Sequence, residues 1–371
     1  MTLRTPLCDL LGIDYPIVQS GMGNVAGPDL AAAVSNAGGL GVLAGLHKTA
    51  AQLRAEIRQI RALTNRPFGV NLWLHHQLEP PVPAAAVSDA QIAAVQRTLN
   101  QFRDRLGLPA AAERPTPPPD LIAEALEVIL DERVPVFSTI FGPPDSARIE
   151  ACHRRGIRVI AMVATEGDAR VVAANGCDAI VAQGSEAGGH RAVPSKPASR
   201  LVGTIGTMAL VPQVVDAVRV PVIAAGGLAD GRGLVAALAL GAAGVLLGTR
   251  FVATRESTAA DVWKKSLLER DADETIITDA FTGLWARALR NRYTDEYEAS
   301  AAPVLPTLWQ SRAAADITAA SIRDGSPDYF PMWSGQSVGL IHNLLGAGEV
   351  IETIVREAGA ALEALAERVR S

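Results

Sequence analysis

Short runs of apolar, β-branched residues recur along the chain, and apolar positions at helical spacing fill the stretches between them. The runs are YPIVQ (15–19), GLGVLAG (39–45), FGVNLWL (68–74), VPVFSTIFG (134–142), IRVIAMVA (157–164), DAIVAQG (178–184), VPVIAAGG (220–227) and AGVLLGTRF (243–251). Nearly continuous apolar runs of this length suit strands buried on both faces of a parallel sheet. The intervening stretches read as helices. PDLAAAVSNA follows the first run with Pro28 near its start, a second helix covers roughly 49–64, and SARIEACHRRG, GDARVVAANG and GRGLVAALALG separate later runs. Eight strands, most of them alternating with helices, predict an α/β protein closed into a TIM (β/α)8 barrel. An open doubly wound sheet is the alternative, because strand count alone does not prove closure.

Two segments interrupt the alternation. Residues 78–120 carry one helical stretch at about 88–107 between proline-rich flanks, with Ile92, Val95, Leu99, Phe102 and Leu106 at helical spacing. This reads as a helical insertion after strand three, near the barrel mouth. Residues 256–371 continue after the eighth strand with helices and Trp-bearing loops and end in the amphipathic EVIETIVREAGAALEALAERVRS. They read as a C-terminal extension that packs on the barrel and forms a lid or substrate region. The barrel itself is then assigned to residues 1–77 and 121–255.

Composition narrows the function classes. The 371 residues are 49% apolar, 20% charged and only 4% aromatic, with a net charge of −5. The acidic balance argues against a polyanionic nucleic-acid partner. Three cysteines, Cys8, Cys152 and Cys177, show no CxxC spacing. That argues against a disulfide framework or a zinc site and fits a reducing cytoplasm. No run approaches ~18 uninterrupted apolar residues, so no membrane span is expected, and MTLRTPLCDLLGIDYP lacks a signal core.

In a barrel the C-terminal strand ends converge on one mouth, where ligands bind. Here those ends are Gln19 to Gly23, Asn71, Thr139, Gln183 to His190, Gly226–Gly227 and Leu247–Gly248–Thr249. The set is rich in glycines, amides and hydroxyls and poor in carboxylates, which suits a phosphorylated planar cofactor. Loops after strands seven and eight often hold a phosphate on backbone N–H groups. The bland alternative is that these glycines serve only as tight turns.

The ordered strings PIVQSGMG, LAAAVSNAGGLGVLAG, RPFGVNLWL, DAIVAQGSEAGGHR, VPVIAAGGLADGRG and GAAGVLLGTRF resemble the nitronate monooxygenase family, formerly called 2-nitropropane dioxygenases. The likeness spans about residues 14–251 and reappears at FTGLWARALRN and PMWSGQSVGLI. It implies an FMN-dependent TIM-barrel enzyme. Such an enzyme oxidises small-molecule nitronates, such as propionate 3-nitronate, or nitroalkanes with O2, giving a carbonyl compound and nitrite; a homodimer is compatible with it. The resemblance places Gly21 and Met22 against the flavin ring and Asn71 and Gln183 at its ring or ribityl chain. It gives Gly188, Gly226, Gly227, Leu247, Gly248 and Thr249 to the phosphate and ribityl contacts, and Gln336 to the flavin. His190 becomes the catalytic residue, either a general base toward the nitroalkane α-proton or, protonated, a partner for the nitronate anion.

Leu246 stands where a glutamine is common in the family, and GGHRA replaces the commoner GGHRG, which leaves the ribityl contacts open. A second reading keeps the same barrel and FMN but uses NAD(P)H, as in enoyl-acyl carrier protein reductases or quinone reductases; a flavin- or phosphate-binding module without turnover is a third. Lesser candidates receive ordinary roles. Cys177 reads as core, Glu186 as a supporting or helix-start acid, and Trp263, Trp285, Trp309 and Trp333 as packing. The adjacent His75–His76 pair is poor metal geometry without further ligands, and no metal is expected.

Overall fold

The computed structural model describes residues 3–74, 82–116, 119–142, 144–201 and 204–370. Eight parallel strands form its centre: β1 (Ile17–Gln19), β2 (Gly41–Ala44), β3 (Phe68–Trp73), β4 (Val136–Ile140), β5 (Arg158–Val163), β6 (Ala179–Gln183), then, after the two-residue β7 (Gly189–His190), β8 (Val222–Ala225) and β9 (Gly244–Leu247). Their spatial order is β1-β9-β8-β6-β5-β4-β3-β2. The two ends of that order meet. Val18 bridges Leu40 in parallel, and the amides of Gln19 and Leu40 bond the carbonyls of Leu40 and Ile17 at 2.9 Å each. The Gln19 side chain completes the seam, accepting from the Val42 amide at 2.9 Å and donating to the Val42 carbonyl at 3.1 Å. The sheet is thus a closed (β/α)8 barrel, not an open doubly wound sheet.

Strand residues alternate between two cores, as a two-residue side-chain period requires. Val18, Val42, Val136, Ile160, Val181 and Leu246 share the inner core with Leu7, Cys8 and Leu11 of the helix Pro6–Leu11. That helix plugs the N-terminal end, where the Thr5 hydroxyl bonds the carbonyl of Ala243 just before β9. Ile17, Leu43, Val70, Val159, Ile180 and Val245 instead face the surrounding helices. All three cysteines are buried and unpaired in disulfides.

The outer layer is completed from the end of the chain. Directly after β9 the chain is helical over Thr249–Val252, so the GTRF that reads as a strand continuation turns into a short helix instead. The long helix Ala347–Arg370 packs between the helices Gly231–Ala239 and Pro28–Asn36, with Ile351, Ile354 and Ala358 in the main core. Gly231 permits that approach, since a Cβ there would lie 2.2 Å from the Ala358 nitrogen.

The helix Asp89–Arg105 begins at a Ser88–Gln91 capping box. Its Val95, Leu99 and Phe102 pack with Tyr293, Trp309 and Ile317 of the 256–371 segment. The two interruptions of the barrel pattern therefore share a hydrophobic core of their own. The helix Thr207–Ala217 is not announced by the sequence pattern, because Pro212 lies inside it and Gly206 offers no side-chain cap. A second, antiparallel sheet joins β10 (Thr275–Thr278), β11 (Ala286–Leu289) and β7. No described helix is long and apolar enough to cross a membrane.

Candidate active site

The loop after β6 leaves the barrel, turns over the mouth and returns as β7. Gln183 sets its path: its amide Nε2 donates to the His190 carbonyl at 2.9 Å, and its Oε1 accepts from the Ala192 amide at 2.8 Å. Both ends of that side chain are spent on the loop. From the other side, β11 pairs antiparallel with β7, His190 opposite Ala286 and Gly189 opposite Arg287. Two buried arginines grip the loop from within. Arg191 donates to the Gly184 carbonyl at 2.9 Å, and Arg287 donates to the Ser185 carbonyl at 3.1 and 3.0 Å. Burial lowers both guanidinium pKa values; for Arg191, with the nearby Arg287 charge adding to the effect, the value falls to about 10.

His190 is 7% exposed. Its imidazole is walled by aromatic rings, with Trp73 at 4.6 Å edge-on, Trp333 at 5.1 Å and Phe141 at 5.8 Å between centroids. Nε2 lies 2.8 Å from the Thr282 hydroxyl. Phe141 follows β4 with φ at 80°, a left-handed backbone that a bulky residue rarely adopts and that tends to mark functional sites.

Beside this box the strand ends form a glycine-lined cradle. Gly21 abuts Asn71 so closely that a Cβ would lie 2.4 Å from the Asn71 Cβ. Asn71 donates to Ser138 at 3.1 Å across β3 and β4. A Cβ on Gly248 would sit 3.6 Å from the Met22 sulfur, so the loops after β1 and β9 touch. Gly226 and Gly227 both have positive φ, 103° and 71°. Gly226 packs under the Thr207 hydroxyl, whose oxygen lies 2.9 Å from its carbonyl. The Glu186 carboxylate caps the helix that begins at Thr207, accepting the Thr207 amide at 3.0 and 2.9 Å and its hydroxyl at 2.9 Å. It acts as a helix cap, but for a helix twenty-one residues downstream rather than its own turn.

The 256–371 segment closes one side of this cradle. The Gly335 amide donates to Thr249 Oγ1 at 2.9 Å, and the Gln336 amide donates to the Glu186 carbonyl at 2.9 Å. Arg250, buried and with its pKa lowered to about 10 by that burial, bonds the Asn343 carbonyl and side chain.

The nitronate monooxygenase family model matches residues 4–357. The chain belongs to that family. A probable nitronate monooxygenase from Staphylococcus saprophyticus is 35% identical over 361 residues, covering 96% of this chain and 98% of the relative. One from Staphylococcus aureus is 36% identical over 339 residues, with coverages of 90% and 92%. Among solved structures, nitroalkane oxidase from Streptomyces ansochromogenes superposes with a TM-score of 0.86 at 36% identity, covering 97% and 99% of the two chains. FabK from Thermotoga maritima reaches 0.75 at 32% identity, covering 99% and 100%.

In this nitronate monooxygenase family member the sequence-predicted residues fall into three groups. Gly21, Met22, Asn71, Gly226, Gly227, Gly248 and Thr249 lie together at the barrel mouth, and Gly188 and His190 adjoin them. Gln183 is also there, with its amide tied to the His190 loop. Leu247 differs: its side chain packs in the outer, helix-facing core, and only its carbonyl, which accepts from the Ser20 amide at 3.0 Å, faces the first loop. Gln336 is anchored through its backbone, with an exposed side chain. His75 and His76 lie outside the described residues. Among the described residues no group of three or more His, Cys, Asp or Glu is placed to hold a metal.

Sequence reasoning did not single out Trp73, Phe141 or Thr282, and read Trp333 as packing, which it does against the core while also lying beside His190. Trp73 had a usable signal, since it ends a strand that already supplies Asn71. Thr282 had none, because it reaches His190 from 92 residues away.

Proposed function

We propose that this protein binds FMN in the glycine-lined cradle and oxidises alkyl nitronates or nitroalkanes with O2 to a carbonyl compound and nitrite. Membership in the nitronate monooxygenase family makes it an oxidoreductase of this class. The observation that carries the reading is His190, pinned by β11 and Gln183 within the aromatic box and directly beside the cradle.

The residues present fit the cofactor. Gly226 and Gly227 adopt left-handed backbone that side chains disfavour, and Gly248 lies against Met22, so these loops would let backbone amides approach a phosphate closely. Thr249 adds a hydroxyl there. Gly21, Met22 and Asn71 would line the ring side. When bound, the isoalloxazine supplies the redox chemistry and its link to dioxygen.

The chain's own part is binding, orientation and proton handling. His190 removes the α-proton of a neutral nitroalkane, or as imidazolium holds the nitronate oxygens. Trp73, Trp333 and Phe141 exclude water around it, which strengthens either interaction. The buried Arg191 and Arg287 add positive potential behind the loop and favour an anion at the mouth.

FabK-like similarity supports a second reading, reduction driven by NAD(P)H, but the superposition is weaker, 0.75 against 0.86. The protein loaded with FMN is to be mixed with propionate 3-nitronate or an alkyl nitronate in air, and separately with NADH plus quinone or an enoyl-thioester. Nitrite release without NADH is expected. Rapid flavin reduction by NADH with no nitrite from nitronates would establish the second reading, and failure to bind FMN would sink both.

A further inference from the structure

We propose that Thr282 is a positioning residue for His190, holding its imidazole in one ring plane and one tautomer; this rests on His190 being the proton-handling group assigned above. Thr282 lies in the turn between β10 and β11, outside the barrel. Its hydroxyl oxygen is 2.8 Å from His190 Nε2. The same hydroxyl points at the Leu284 carbonyl, a long 3.5 Å away. A hydroxyl that donates to a carbonyl offers its lone pair to the next neighbour. With its proton on that carbonyl, Thr282 accepts from Nε2–H and Nδ1 is the imidazole's acceptor nitrogen; the reverse bond, with Thr282 donating to Nε2, would place the ring proton on Nδ1.

The turn is built to hold that oxygen still. The amides of Thr282 and Gly283 both bond the Asp279 carbonyl, at 3.3 and 2.8 Å. Gly283, with φ at 86°, is pressed against the Leu305 carbonyl, where a Cβ would come within 2.4 Å. The Ala280 carbonyl accepts from both Tyr293 and Gln310, at 3.2 and 2.7 Å. Strand pairing of Ala286 with His190 fixes the remaining degree of freedom between turn and loop. Trp73 and Trp333 confine the ring plane, but rings alone do not distinguish Nδ1–H from Nε2–H. Among the described contacts, the hydroxyl supplies that distinction. An imidazole whose second nitrogen is hydrogen-bonded keeps one tautomer and one orientation, and loss of such a partner typically costs 10–100-fold in function at metal-bound histidines.

The test compares wild type, Thr282→Val and Thr282→Ser, with His190→Asn used to assign the His190 signals. In protein labelled with 15N-histidine, the wild-type neutral imidazole is expected to show protonated Nε2 and an unprotonated Nδ1. Thr282→Val should shift this to a mixture or to the other tautomer, and Thr282→Ser should restore it. Nitrite release from a neutral nitroalkane should fall roughly tenfold or more in Thr282→Val, with a smaller loss on a pre-formed nitronate and recovery in Thr282→Ser. An unchanged tautomer in a folded Thr282→Val protein overturns the proposal, as does an equal loss on both substrates that serine does not rescue. If wild type releases no nitrite, the nitronate reading fails by itself, and the nitrogen signals still decide the Thr282–His190 pair.

Discussion

A Cβ on Gly188 would lie 2.4 Å from the backbone nitrogen of Gly335, and one on Gly335 would lie 2.7 Å from the nitrogen of Gly188. The loop that carries His190 and the C-terminal segment touch backbone to backbone, 147 residues apart in sequence. Neither wall is a flexible side-chain tip, so neither gives way cheaply. Gly188→Ala is expected to displace the C-terminal segment, destabilise the protein by about 1–3 kcal/mol and depress kcat/KM. Gly189→Ala is the control. Gly189 has φ at 73° but open space around its Cβ position, so only the backbone strain of about 1–2 kcal/mol applies. Thermal melts and nitrite assays of the two variants check the contrast; a Gly189→Ala defect in activity as large as that of Gly188→Ala would contradict the packing account.

Replacing His190 with Asn removes a group that can take a proton but keeps one that can donate a hydrogen bond. The flavin spectrum of loaded protein should be preserved, because the cradle glycines are untouched. Turnover of neutral nitroalkanes should fall by roughly 10²–10⁴-fold, the usual worth of a general base, and turnover of nitronates by much less. Equal losses on both substrates would favour charge holding over proton removal. Loss of flavin with unchanged turnover per bound FMN would remove His190 from the chemistry altogether.

Most of the barrel was legible because its signals are local. Eight apolar runs mark the eight strands of the sheet, and the helices over 49–64 and 88–107 begin at capping boxes written within four residues, Thr49–Gln52 and Ser88–Gln91. The helix Thr207–Ala217 was hidden because its N-terminal cap is supplied by Glu186, on another element. The site divides in the same way. Glycines and His190 announce themselves by position after a strand. The contributions of Thr282, Trp333 and β11 depend on where the C-terminal segment lands, and at the end of β9 the inward side chain is that of Leu246, which leaves Leu247 its backbone to offer at the mouth. A two-residue period decides which of two neighbours points inward at a strand end.

Gln183 predicts a loop defect without loss of its neighbours. Its amide satisfies the His190 carbonyl and the Ala192 amide, both in buried surroundings. Gln183→Leu keeps similar bulk and leaves both backbone groups without that partner, at about 1–3 kcal/mol for each group left unsatisfied. The expected result is a lower melting temperature and faster amide exchange at Ala192, with nitrite release reduced through a mobile His190. Exchange at Ala192 equal to that of wild type would show that the loop is held by β11 and the arginines alone.

The contact between Arg103 and Asp316 ties the insertion to the C-terminal segment and should make their shared core sensitive to acid. Arg103 is 2% exposed and donates from Nε and Nη2 to the two Asp316 oxygens at 2.7 and 3.0 Å, with further bonds to Gln96, Asn100 and the Ala313 carbonyl. Desolvation works to raise the Asp316 carboxyl, but the Arg103 bonds outweigh it and hold the group below its ordinary value. A carboxyl that titrates lower in the folded state than in the unfolded state, where it sits at about 3.9, adds stability above that pH. The contribution is lost as pH falls through the folded value. Asp316 is 47% exposed, so solvent screening keeps the contribution well under the 3–5 kcal/mol of a broken, fully buried pair. Asp316→Asn should therefore melt below wild type at neutral pH, and the gap should narrow steadily on acidification. Thermal denaturation of both proteins across that range checks it; a gap that stays constant down to strongly acidic pH would mean that the asparagine disturbs packing and that the ion pair carries no linked stability.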